Sequence, residues 1–205
     1  MSTVELLIWG MATGAIGTVV LFGAAELALS RSAAAAEGTV YHTLALLFVF
    51  LLSGLGHEVM QAVNLQTLHV AQVLIGPVCS GLGNHWIRDW LAADQRDRMM
   101  EAGLRFTAWA TPGAGLLCLL LPVPQQLPAA AAICLLSGVL AMWLAVRAWL
   151  FGDRLALGMA AGCALMLPPI AGLYAMAMGT ESISAGWQAV LALSAVLCNT
   201  TIGVR

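Results

Sequence analysis

Residues 128–178 read PAAAAICLLSGVLAMWLAVRAWLFGDRLALGMAAGCALMLPPIAGLYAMAM. The only charged side chains in this stretch are Arg147, Asp153 and Arg154, gathered around Gly152. On either side lies an apolar run of more than 20 residues, Pro128–Phe151 and Leu155–Met178. A helix needs about 20 mostly apolar residues to cross the hydrocarbon core of a bilayer. The runs are continuous and do not alternate, so they do not suit the strands of a lipid-facing barrel. The stretch therefore predicts two membrane helices joined by a tight turn that carries basic residues.

The same reading extends in both directions. Further apolar stretches run from Val4 to Leu29, Tyr41 to His57, Leu68 to Leu91, Gly103 to Leu121 and Trp187 to Val204. With the first two they predict a single domain over residues 1–205, an all-α integral membrane protein with a bundle of seven transmembrane helices. Charged residues make up 9% of the chain, against about 25% in a soluble domain, so its surface is built to face lipid. The basic residues are all arginine: Arg31, Arg88, Arg96, Arg98, Arg105, Arg147, Arg154 and Arg205. With seven spans all of them fall on one side, which the positive-inside rule makes the cytoplasm. The N-terminus is then outside, the C-terminus is cytoplasmic, and the expected location is a bacterial inner membrane.

Composition narrows the function. Lysine is absent, which excludes a retinal Schiff base. Cys79, Cys118, Cys134, Cys163 and Cys198 each sit within an apolar run and read as small packing residues. Residues 1–5 lack the basic start of a signal peptide, so the first span is expected to be retained. Pro168–Pro169 is expected to bend the sixth span and Pro77 the third. The spacings Gly10-x-x-x-Gly14 and Gly158-x-x-x-Gly162 predict close helix approach, within the bundle or in a homodimer.

Ionisable groups inside a membrane are costly, and mark the places to look for function. Glu26, near the end of the first span, is expected to pair with a basic residue. The four histidines fall into two pairs by depth: His57 with His69 toward the outside, and His42 with His85 toward the cytoplasm. Imidazole suits Zn, Cu, Ni and Fe, so His57 and His69 are candidate metal ligands. Paired histidines near both faces also fit b-type haem, with His42 and His85 as alternative ligands. A broader candidate site is the outer mouth, where His57, Glu58, Gln61, Asn64, Gln66 and His69 share one loop and Glu181 comes from another. It carries no net positive charge and suits a cation or a neutral molecule. The segment from Arg88 to Glu101 mixes both signs and predicts an exposed helix extension with local ion pairs.

Catalytic patterns are missing. Gly76-Pro77-Val78-Cys79-Ser80-Gly81 lacks the glycine two residues before the serine that a nucleophile turn uses, and no histidine follows in the later spans. No enzyme activity, and no partner nucleic acid, is expected.

The layout resembles the membrane region of the bacterial seven-transmembrane receptors with diverse intracellular signalling modules. The resemblance rests on the overall size, the outside N-terminus, the Tyr-led second span at Tyr41, and the charged extension Asn84-His85-Trp86-Ile87-Arg88-Asp89-Trp90-Leu91 of the third. It implies a sensor region, and the polar outer mouth makes a small ligand or metal near the outer face its expected input. Such a sensor signals to a cytoplasmic output module, a kinase or diguanylate cyclase, fused or separate. The alternative is a haem- or metal-binding redox protein using the paired histidines.

Overall fold

A computed structural model describes residues 1–60, 63–91, 97–179 and 183–203. Every regular element among them is a helix: α1 Thr3–Ser30, α2 Ala33–Leu52, α3 Leu55–Val59, α4 Leu65–Trp90, α5 Arg98–Cys118, α6 Val123–Leu150, α7 Arg154–Met178 and α8 Ala185–Gly203. By length and composition, five of them (α1, α2, α4, α6 and α7) can cross a membrane; α8 has a shorter apolar stretch, Ala185–Thr200. The chain is thus an all-helical protein with the helices of a multi-pass membrane protein.

The helix ends follow from local chemistry. Ser2 and Glu5 form a capping box: the Ser2 hydroxyl accepts from the Glu5 N–H at 3.3 Å, and the Glu5 carboxylate accepts from the Ser2 N–H at 2.7 Å. Arg31 closes α1 in the left-handed conformation, φ 51°, and Ser32 at once caps α2 by accepting from the Ala35 N–H. Sequence reading starts this second helix at Tyr41; the structure starts it at Ala33. The alanine run 33–36 is strong helix-forming sequence behind a serine cap, and hydropathy alone does not register it. The other end also differs. The expected span to His57 breaks at Ser53–Gly54, where Gly54 has φ 90°, and His57 belongs to the short helix α3.

Six helices close a ring in the order α1, α2, α4, α6, α7, α8, and α5 packs outside it against α4 and α6. Lipid offers no hydrophobic drive between helices, so association rests on close packing and on hydrogen bonds between them. The α6–α7 contact shows this: Ala141, Ala145 and Ala148 face Ala156, Ala160 and Cys163, small residues at matched helical spacing. α4 and α5 interlock differently. A Cβ on Gly81 would meet the Pro112 ring and come within 2.8 Å of the Ala108 carbonyl, while one on Gly115 would lie 2.6 Å from Pro77. Each helix therefore places a glycine where the other carries its proline. α7 continues as one helix through Pro168 and Pro169.

Gly10, Gly14 and Gly158 have open space before them, so the expected close approach inside the bundle does not occur there. Glu26 is exposed on α1 and makes no ion pair among the described residues. The described arginines Arg31, Arg88, Arg98, Arg105, Arg147 and Arg154 all lie at the end of the bundle opposite Met1. There, Arg147 on α6 donates to Asp97, the N-cap of α5, at 2.7 Å. This guanidinium, with the Met99 N–H, holds the Asp97 carboxyl below its ordinary pKa. All five cysteines are buried and unbonded to one another.

Candidate ligand site at the Met1 end of the bundle

The break in α2 creates the site. Beyond it the Leu51 carbonyl has lost the partner a continuing helix would supply, and the Gln72 side chain from α4 donates to it at 2.9 Å. Gln72 and Ser53 are buried beside this point. From the other side comes Gln188, in the first turn of α8 and only 3% exposed. Its amide nitrogen donates to Glu5 Oε1 and to the Ile183 carbonyl, both at 2.9 Å, and its amide oxygen accepts from Trp9 Nε1 at 2.9 Å. Trp9 is fully buried, so its N–H needs this acceptor.

Between these groups lies a cavity of about 310 Å³, lined among others by Met1, Glu5, Ser53, His57, Gln72 and Gln188. The Met1 ammonium is neutralised by Glu58 at 3.0 Å. Glu5 is left as the net charge in the wall. A cavity with one carboxylate, two amides, a hydroxyl and an imidazole suits a small cation or a neutral hydrogen-bonding molecule.

The structure divides the residues singled out from the sequence. His57 faces this cavity and Glu58 sits at its rim. His69 turns elsewhere: its Nε2 lies 2.9 Å from Gln126 Oε1, and the Gln126 amide nitrogen donates to the carbonyls of Leu119 and Leu121 at the end of α5. His69 thus belongs to a tie between α4, α5 and α6. Asn64 caps α4 through the Gln66 N–H, and Gln66 itself is exposed. Gln61 and Glu181 lie outside the described residues.

The cytoplasmic pair expected from depth is also placed apart. His42 is buried, with Nδ1 3.1 Å from Asn199 Oδ1 on α8, and its ring lies edge-on to Tyr41 and Trp86. His85 instead faces Glu37, Arg88 and Asp89. Each of the four imidazoles therefore has its own set of neighbours.

Sequence reasoning missed Glu5, Gln72 and Gln188. A signal for the two glutamines was present, since each is a lone amide within an apolar run, and such residues in membrane helices bond across to a neighbour. A second cavity of about 70 Å³ is lined by Cys79, Asn84, Ser137, Cys163 and Cys198 among others. Ser137 accepts there from Asn84 at 2.8 Å and from Thr111 at 3.2 Å, joining α4, α5 and α6. No protein-family model, curated protein or solved structure matches the chain.

Proposed function

We propose that this chain is a membrane sensor of seven spans, with its Met1 end outside and its arginine end in the cytoplasm of a bacterium. In this reading the cavity behind His57 takes a small cation or neutral hydrogen-bonding ligand, and α8 carries the change inward. The observation that carries it is Gln188. One amide ties the cavity wall to α1 through Trp9 and Glu5, and it stands on the helix whose far end is tied to α2 through Asn199 and His42. A ligand that takes over the Gln188 hydrogen bonds changes what holds α8 at one end. The Asn199–His42 contact then reports that change at the other. Such a ligand moves the equilibrium only as far as it favours one of the two arrangements.

The clustering of the described arginines at one end supports the orientation. The resemblance to bacterial seven-transmembrane receptors supports a cytoplasmic output module, kinase or cyclase, fused or separate. The chain itself then binds and transmits, without catalysis.

The test is a thermal-shift screen of the purified chain against small organic cations and neutral polyols. Ligands of the cavity are expected to raise the midpoint of the wild type and of His69→Ala, but not of His57→Ala. Equal shifts in all three proteins would place the ligand elsewhere. Turnover of any of these compounds by the isolated bundle would overturn the sensor reading.

A further inference from the structure

At the arginine end, α2 and α4 bring together three side chains that the ligand cavity does not use. Glu37 stands in the second turn of α2; His85 and Asp89 stand one turn apart at the end of α4. His85 Nδ1 lies 3.6 Å from Asp89 Oδ2 and 4.0 Å from Glu37 Oε2, and one ligand atom from each residue falls within 4.8 Å of the other two. These separations are too long for hydrogen bonds. His85 Nδ1 is buried all the same, and has no hydrogen-bond partner. A buried imidazole nitrogen without a partner, aimed between two carboxylates, is costly unless something fills the gap.

The surroundings point to what fills it. Trp86 is 5% exposed and its indole N–H is also buried without a partner. The edge bearing that N–H lies against Gly38, the residue after Glu37. Trp86 also lines, with Glu37 and Asp89, a cavity of about 420 Å³ that opens beside the three side chains. Among the described residues, Arg88 is the guanidinium that faces Glu37, Asp89 and Glu101 together; it donates to Asp89 Oδ1 at 2.8 Å and lies 3.8 Å from Glu101. The other Asp89 oxygen is the one turned to His85.

We propose that Glu37, His85 and Asp89 form a binding site for a divalent transition metal, Zn²⁺ by preference, at the cytoplasmic end of the α2–α4 contact. One imidazole and two carboxylates are a ligand set that Zn²⁺ accepts, with bonds of about 2.0–2.2 Å. Mg²⁺ and Ca²⁺ prefer oxygen alone, and they do not use the nitrogen. The ligand atoms then close to the roughly 3.3 Å separation of a tetrahedral site, a rotamer adjustment of half-exposed side chains. The fourth position faces the cavity, where the Trp86 N–H can donate to a metal-bound water or anion. With Nδ1 on the metal, His85 Nε2 carries the proton. Its 3.4 Å contact with Arg88 then loosens, while Arg88 keeps Asp89 and Glu101. The site joins two helices of the ring, so the metal braces α2 against α4. It stands independently of the ligand cavity at the Met1 end.

The test titrates Zn²⁺, by calorimetry, into the full chain in detergent after treatment with chelator. One Zn²⁺ per chain is expected, not displaced by excess Mg²⁺. Glu37→Gln, Asp89→Asn and His85→Ala should each weaken binding by about tenfold or more, and His69→Ala should leave it unchanged. Co²⁺ in place of Zn²⁺ should give visible ligand-field bands that Glu37→Gln removes. Glu37→Gln keeps the size and polarity of a half-exposed helix position, so it reads out the site even if His85→Ala fails to fold. Wild-type affinity in both carboxylate variants would overturn the proposal, as would loss of Zn²⁺ binding with His57→Ala.

Discussion

Alanine in place of Gly81 or Gly115 is expected to destabilise the bundle by about 1–3 kcal/mol, and Gly81→Ala by the larger amount. At Gly115 the added methyl meets a proline ring carbon at 2.6 Å, which can retreat if the two helices part slightly. At Gly81 it meets the Pro112 ring and also the Ala108 carbonyl at 2.8 Å, which is backbone and cannot retreat without moving α5. Thermal unfolding in detergent reads the loss. Gly10→Ala is the matching control, because its methyl enters open space and alanine favours the helix. Pro112→Ala combined with Gly81→Ala should recover part of the loss, because the ring that the methyl strikes is gone. Equal stability of Gly81→Ala and Gly10→Ala would mean that α4 and α5 do not approach as closely as the interlock requires.

The second large effect concerns Gln188. Gln188→Leu keeps the bulk of the side chain but removes the acceptor for Trp9 and the donor to Glu5 and Ile183. A buried N–H left without an acceptor costs about 1–3 kcal/mol, and Trp9 has no solvent exposure through which to regain one. The expected loss is of that size. Hydrogen exchange should rise in the first turns of α8 and α1 and stay unchanged in α4 and α5. Gln188→Glu separates the two halves of the network: it keeps an acceptor for Trp9 and sets a second carboxylate against Glu5. It should restore protection near Trp9 only where one of the two carboxyls is protonated. Exchange that rises evenly over the whole bundle would show that Gln188 fills space and ties nothing.

Legibility in the chain differs from element to element, for physical reasons. The long apolar runs announce themselves, because hydrocarbon thickness sets their length, and α1, α4, α6 and α7 lie close to where hydropathy puts them. The start of α2 does not. Ala33–Gly38 is neither strongly apolar nor polar, and what makes it helix is its alanine run behind the Ser32 cap. The break at Ser53–Gly54 is equally quiet, since a span ending at His57 has the same composition whether it is one helix or two.

The candidate site was half legible for a related reason. His57 and Glu58 stand out as charged or ionisable residues at a span end. Gln72 and Gln188 do their work inside apolar runs, where each is a single residue and only the partner across the bundle shows its use. His69 shows the reverse. Its depth matches that of His57, but helix rotation turns it toward Gln126. Depth is readable from the chain, whereas the azimuth of a side chain about its own helix is set by packing. The cluster of Glu37, His85 and Asp89 needs both, since Glu37 lies in the stretch that hydropathy assigns to a loop.

The burial of every thiol has a practical reach. Cys79, Cys118, Cys134, Cys163 and Cys198 are enclosed by the bundle. A charged maleimide that stays in water has no native sulfur to modify. The unaltered chain is therefore its own background for labelling, because its thiols are buried. One cysteine placed at Ser184 and another at Asp153, introduced singly and labelled in intact cells and again after lysis, would report the sidedness of each end directly, with no native cysteine removed.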